Sequence, residues 1–201
     1  MPHAIDFYYD IVCPYAYLAS TQIEELAQRI GAPLHYRPIL LGGVFRNIDA
    51  PLVPMDKMPE SKRRMNQLDL ARWADHFGQP LNFPDSHPQR TVEAMRCVLA
   101  SPEPVKTMEA LFRAYWVEGR NVTDLDVLRT ILQENHLPPD SILEDINSSL
   151  IKDQLKENTA GAVKAGVFGV PAFMVNGELI WGQDRLHFVE KLALGWRPSL
   201  Q

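Results

Sequence analysis

Apolar and polar residues alternate at the start of the chain, then apolar residues recur every three to four positions; this change of period separates a strand from a helix. Ile5, Phe7 and Tyr9 alternate with Asp6 and Tyr8, which predicts a strand over Ala4–Tyr9. Leu18, Ile23, Leu26 and Ile30, with Ala19 and Ala27, form one helical stripe over Pro14–Ile30, and Gly31 supplies its stop. Leu34–Leu41 predicts a second strand, whose Ile39-Leu40-Leu41 run suits burial on both faces. Strand, helix and strand in so short a span predict a parallel pair with a right-handed crossover.

The pattern then changes. Gly42–Glu60 holds Gly42, Gly43, Pro51, Pro54 and Pro59, which predicts a long irregular loop of the kind that often carries function. From Ser61 to about Lys164 the apolar period is helical throughout. Ser61–Phe77 carries Met65, Leu68, Ala71 and Trp73, and a proline-rich connection covers Gly78–Pro88. Thr91–Leu99, Val105–Val117 and Asp124–Asn135 follow as helices, the first two separated by Ser101-Pro102-Glu103-Pro104. Pro138-Pro139-Asp140 restarts helical structure, which runs with a break through Ile151 to Ala165.

Strands return at the end. Val170–Val175 and Glu178–Trp181 flank Asn176-Gly177, a strong type I′ hairpin signal. Arg185–Leu194 predicts a final helix, with Asp184 as its N-cap and Leu186, Val189, Leu192 and Ala193 inward. The expected class is therefore α/β: a thioredoxin-like βαβ…ββα unit made of residues 1–43 and 166–201, interrupted by an all-helical insertion over 44–165. The two ends must meet, because neither half buries its sheet alone.

Composition narrows the partners. The net charge of -5 and the absence of any Lys/Arg run longer than Lys62-Arg63-Arg64 argue against nucleic acid. No apolar run approaches the ~20 residues of a membrane span, and no basic start leads into an apolar stretch. A cytoplasmic protein with reduced thiols is expected, and nothing supports a bridge between Cys13 and Cys97. His3, His35, His76, His87, His136 and His187 stand singly, without the spacing of a zinc site, so no metal is expected.

The candidate chemistry sits at Cys13. It falls where strand gives way to helix, just before Pro14, a residue suited to the first helical position. Free N–H groups and the positive end of the helix dipole there favour a thiolate, either of Cys13 itself or of a bound thiol cofactor. A buried cysteine acting as a small hydrophobe is the alternative, and is the reading for Cys97 beside Ala94 and Val98. Tyr15 and Tyr17 flank the thiol and suit either an aromatic substrate pocket or the core.

Cys13-Pro14-Tyr15-Ala16 after the first strand, Gly166-Val167-Phe168-Gly169-Val170-Pro171 before the third, and Gly182-Gln183-Asp184-Arg185-Leu186 before the last helix occur in one order around a helical insertion. With Leu68–Trp73, Thr91–Arg96 and Tyr115-Trp116, they resemble the DsbA-like thioredoxin superfamily over nearly the whole chain. More narrowly, the chain is similar to the 2-hydroxychromene-2-carboxylate isomerases and kappa-class glutathione transferases. The resemblance implies bound glutathione and a cis Val170–Pro171 bond, with the Val170 backbone pairing to the cysteinyl part of the tripeptide. It also implies that Gln183 and Asp184 hold the glutamyl end, and that Asn47 and Lys62 meet substrate as amide donor and point charge. A homodimer is implied as well. One residue departs from the pattern: these isomerases commonly carry Ser at the place of Cys13. Oxidoreductases of the superfamily carry Cys there with a second Cys three positions on, where this chain has Ala16.

The expectation is a glutathione-dependent isomerase of aromatic degradation, acting on an unsaturated aromatic oxo-acid by reversible thiolate addition, with Cys13 stabilising the thiolate. The alternatives are a glutathione-linked thiol-disulfide oxidoreductase or transferase using Cys13 covalently, and a non-catalytic binding module on the same scaffold.

Overall fold

The computed structural model of the protein describes residues 1–199. The chain runs through β1 (Ile5–Tyr9), α1 (Pro14–Ile30) and β2 (Leu34–Pro38). Seven helices follow: α2 (Leu41–Asn47), α3 (Glu60–His76), α4 (Val92–Ala100), α5 (Pro104–Trp116), α6 (Leu125–Glu134), α7 (Pro139–Asp145) and α8 (Ser149–Lys164). It closes with β3 (Ala172–Val175), β4 (Glu178–Trp181) and α9 (Leu186–Ala193). The sheet order is β2-β1-β3-β4. β1 and β2 are parallel, while β3 is antiparallel to both β1 and β4. This is the thioredoxin-like arrangement that the strand and helix pattern at the two chain ends predicts, with β1 and β3 joining them.

Burial explains why the sheet closes there. Ile5, Phe7 and Tyr9 are buried on one face of β1. Phe7 lies opposite Tyr36 on β2 and opposite Phe173 on β3, and its ring stacks on Phe173 at 5.2 Å between centroids. Tyr9 and Tyr17 both pack against Phe112 of α5, at 5.9 Å, which seats the helical segment on the sheet. Trp116, also buried, donates from Nε1 to the Ile11 carbonyl at 2.7 Å. Asn176 and Gly177 both have positive φ (50° and 81°), as a type I′ turn requires.

Three expectations need correction. β2 ends at Pro38, and Leu41 opens α2 instead of extending the strand. The reason is not local: the Leu41 N–H donates to the Asp10 carboxylate at 2.8 Å, and the Leu40 N–H donates to Thr159 Oγ at 3.0 Å. Side chains remote in sequence thus satisfy the first donors of α2. Gly43 permits the fit, since a Cβ there would meet Thr159 Cγ2 of α8 at 2.9 Å. The segment expected to be irregular accordingly contains α2 and a 3-10 turn over Pro54–Lys57.

The second correction concerns α3. Leu70 and Ala74 are its buried residues, whereas Met65 and Leu68 stay 53% and 48% exposed. The third concerns α9, which Asp184 does not cap. Asp184 lies in a 3-10 turn, Gln183–Arg185, and its carboxylate accepts instead from Arg185. Among the described residues, no helix is long and apolar enough to cross a membrane.

Asp10 is 1% exposed, and its oxygens accept from Thr91 Oγ (2.7 Å), Leu41 N (2.8 Å) and Val12 N (3.3 Å). Replacing it by Ala strands one buried and two part-buried donors. We expect Asp10→Ala to lower stability by about 3–5 kcal/mol and Thr91→Val by about 1–2 kcal/mol, measured by urea unfolding; a loss under about 1 kcal/mol for Asp10→Ala contradicts the account.

Candidate active site

The turn from β1 to α1 is built by main-chain bonds around one thiol. Cys13 is the N-cap of α1 and Pro14 follows at the first helical position. The Cys13 N–H donates to the Asp10 carbonyl at 3.1 Å, closing the turn. Cys13 Sγ points across to the far end of the chain and donates to the Val170 carbonyl at 3.1 Å. The Val170–Pro171 bond is cis, as the resemblance implies.

The thiol is not poised as an anion. Cys13 is 7% exposed, and burial pushes its pKa up to about 12. The N–H groups of Ala16 and Tyr15 pull it down, but by less than burial raises it, and the nearby Asp10 charge raises it further. For Cys13 itself burial outweighs the pull of the helix start toward a thiolate, and the thiol stands as a donor to the Val170 carbonyl. Cys97, fully buried in α4, is likewise pushed up to about 12 by burial, and both cysteines are free.

Beside Val170 lies a cleft of about 270 Å³. α1 contributes Tyr15, α3 contributes Lys62, Asn66 and Asp69, and the other wall is Val170, Pro171 and Trp181–Arg185. Sequence-expected residues Tyr15, Lys62, Val170, Pro171, Gln183 and Asp184 thus meet in one place. Tyr15 has its pKa pushed up to about 12, first by burial and then by Asp69, Cys13 and Asp184, so its phenol is neutral. Gln183 is buried, and its amide makes no hydrogen bond among the described residues. The Asp184 carboxylate lies 3.0 Å from Arg185 Nη1, which also donates to the Trp181 carbonyl at 2.7 Å.

Asn47 is placed elsewhere. It is exposed at the end of α2, its amide donates to the Gly43 carbonyl at 2.8 Å, and it does not line the cleft. Tyr17 resolves to the core: it is buried, with its hydroxyl on the Pro80 carbonyl at 3.0 Å. Sequence reasoning missed Asn66, Asp69, Trp181 and Arg185. The first two could have been found, since they follow Lys62 at i+4 and i+7 and so share its helical face.

The DSBA-like thioredoxin domain family matches residues 4–193. A 2-hydroxychromene-2-carboxylate isomerase of Pseudomonas putida is 31% identical over 193 residues, covering 95% of this chain and 94% of its own. Glutathione S-transferase kappa 1 of Homo sapiens is 25% identical, covering 96% and 91%. A solved structure of 2-hydroxychromene-2-carboxylate isomerase superposes with a TM-score of 0.81 at 26% identity, over 96% of this chain and 94% of that one.

The buried, protonated state of Cys13 has a direct readout. A pKa of about 12 in place of 9 leaves on the order of a thousandfold less thiolate at pH 8 than an ordinary thiol has. We expect iodoacetamide to label neither cysteine of the folded chain at pH 8 and both on unfolding, followed by mass spectrometry; rapid native labelling of Cys13 contradicts this.

Proposed function

The chain belongs to the DSBA-like thioredoxin domain family, within which we propose that it is a glutathione-dependent isomerase of the 2-hydroxychromene-2-carboxylate isomerase kind. At the coarser level its relatives support a glutathione-related isomerase or oxidoreductase. The observation that carries the finer reading is the protonated Cys13 thiol held on the carbonyl of Val170, a residue that lines the cleft. A neutral thiol can donate a hydrogen bond, as a serine hydroxyl does, but it is a poor nucleophile.

The residues present fit the tripeptide. The Val170 N–H donates to nothing among the described residues, and its carbonyl is held only by the Cys13 thiol. An extended peptide can take both groups in strand fashion. The cleft offers Lys62 and Arg185 as cations and Asp69 and Asp184 as anions, and Gln183 has a free amide. Glutathione carries two carboxylates and one ammonium, so both signs find partners. Asp184 and Gln183 suit the glutamyl end, and Lys62 suits a carboxylate of the tripeptide or of the substrate.

When bound, glutathione supplies the thiol that adds reversibly to an unsaturated carbon, so that a bond can rotate or a ring can open before the thiol leaves. Ligand pairing to the Val170 carbonyl competes with the Cys13 bond and frees the Cys13 proton to donate to a sulfur in the cleft. The Ala16 and Tyr17 N–H groups close the first turn of α1 on the Cys13 carbonyl, both at 3.1 Å, and so fix the backbone from which the thiol projects. Fixed donors aimed at developing negative charge are commonly the largest catalytic contribution in such sites. Tyr15, neutral beside two carboxylates, offers a further donor along the same wall. The likeness to 2-hydroxychromene-2-carboxylate isomerases supports a small unsaturated aromatic oxo-acid as the proposed substrate class.

The test is substitution at Cys13 with glutathione and a 2-hydroxychromene-2-carboxylate substrate. Cys13→Ser keeps a donor and should hold kcat within about tenfold, whereas Cys13→Ala should lower it about a hundredfold. Glutathione should raise the Tm of all three proteins. Activity abolished equally in Cys13→Ser and Cys13→Ala points to covalent thiol chemistry; no Tm shift with glutathione overturns the reading altogether.

A further inference from the structure

A cavity of about 810 Å³, larger than the cleft, lies on another flank of α3. Lys62, Asn66 and Asp69 face the cleft, while Leu70 and Ala71 face the cavity. At 3.6 residues per turn these two sets are rotated by about a third of a turn. The segment between α3 and α4 forms the opposite wall with Leu81, Phe83 and His87. Nothing in the cleft chemistry uses this space.

One polar group in that wall is held in a fixed state. His87 Nδ1 lies 2.9 Å from the Tyr115 hydroxyl, which also accepts from the Gln89 N–H at 3.0 Å. Tyr115 is fully buried, so its hydroxyl proton needs an acceptor inside the protein. Nδ1 is the acceptor within reach, which places the imidazole proton on Nε2. The ring cannot swing away: it packs 5.1 Å from Trp116 and 5.5 Å from Phe83 between centroids. Burial lowers the His87 pKa and keeps the ring neutral. Its Nε2–H has no partner among the described residues.

The charge of the lining restricts what enters. Asp75 is its one fully charged group, and no Lys or Arg lines the cavity. An anionic ligand would lose its hydration with no cation to replace it, beside a carboxylate of the same sign. We propose that this cavity is a second ligand site, for an uncharged planar aromatic molecule whose carbonyl or phenol oxygen accepts from His87 Nε2–H. The flat rings lie between Phe83 and the aliphatic flank of α3, and the oxygen is the group that fixes orientation. The site is independent of the glutathione reading, and its ligand class differs in charge from an oxo-acid.

Coumarin, an uncharged bicyclic lactone, is the probe, and coumarin-3-carboxylate is the same ring system with a charge added. Calorimetric titration of the full chain should show saturable binding of coumarin and at least about tenfold weaker binding of the carboxylate. Ala71→Trp, at an exposed position of α3, should fill the cavity and weaken coumarin at least about tenfold, while the glutathione Tm shift stays as in the unmodified chain. His87→Phe should weaken coumarin about three- to tenfold, the worth of one neutral hydrogen bond. Should that variant fail to fold, the Ala71→Trp and carboxylate comparisons decide. No binding of coumarin at its solubility limit, unchanged binding in Ala71→Trp, or equal binding of the carboxylate each overturns the proposal.

Discussion

One carboxylate, that of Asp10, fixes three segments that have no other reason to meet. It takes the Val12 N–H from the turn before Cys13, the Leu41 N–H from the start of α2 and the Thr91 hydroxyl from the start of α4. Burial pushes its pKa up, while these donors pull it down. The net shift is upward, burial outweighing the donors, and every named partner donates to a carboxylate oxygen, so no donor in the turn is left alone. Trp116 adds a fourth tie, from α5 to the Ile11 carbonyl. The helical segment is thereby fastened to the end of β1, where the thiol stands. α3, which supplies Lys62, Asn66 and Asp69 to the cleft, lies between α2 and α4 in the chain and packs against α1, the helix that Cys13 opens.

The chemistry at Cys13 is decided by which of two opposing effects is larger. A helix N-terminus favours an anion by about 0.3–1 kcal/mol, and by up to ~2 kcal/mol where partly buried. Removing a charge from water costs several kcal/mol even after relaxation. With Cys13 sealed to 7% exposure, burial wins and the proton stays. The same burial makes the thiol useful in another way. It has one acceptor, the Val170 carbonyl, and a peptide bound along that strand end competes for the same oxygen. Ala16, fully buried where a second cysteine would stand in a dithiol motif, leaves no partner for an internal disulfide.

Local signals read from sequence were borne out where local forces decide. Pro14 and Gly31 bound α1 and Asn176-Gly177 makes its hairpin; Val170–Pro171 comes to Cys13 for a non-local reason that the strand pattern also shows, since two half-sheets must close. The misreadings have two causes, a partner remote in the chain for Leu41 and competing bonds to near neighbours for Asp184 and Asn47. Leu41 reads as strand beside Ile39 and Leu40, but its N–H is claimed by Asp10. Asp184 has the chemistry of an N-cap, but Arg185, also held to the Trp181 carbonyl, takes its carboxylate. Asn47 looks like a substrate donor until α2 forms around it and its amide turns back to Gly43. The pattern around Cys-Pro shows a helix start but not how deeply that start is buried, so the protonation of Cys13 is legible only from the structure.

α3 shows why a hydrophobic stripe was hard to place on this chain. An amphipathic helix has one apolar face for one core, and α3 faces three environments. Leu70 and Ala74 turn inward, Lys62, Asn66 and Asp69 line a charged cleft, and Met65 and Leu68 remain about half exposed. Its apolar residues therefore follow no single period, and its polar ones are not merely solvated. The consequence is chemical as well as structural. One helix divides a compartment with charges of both signs from one whose lining is apolar apart from a neutral imidazole, two glutamines and Asp75. The two compartments therefore differ in the charge they can solvate, one facing groups of both signs and the other a mostly apolar wall, about a third of a turn apart on the same helix.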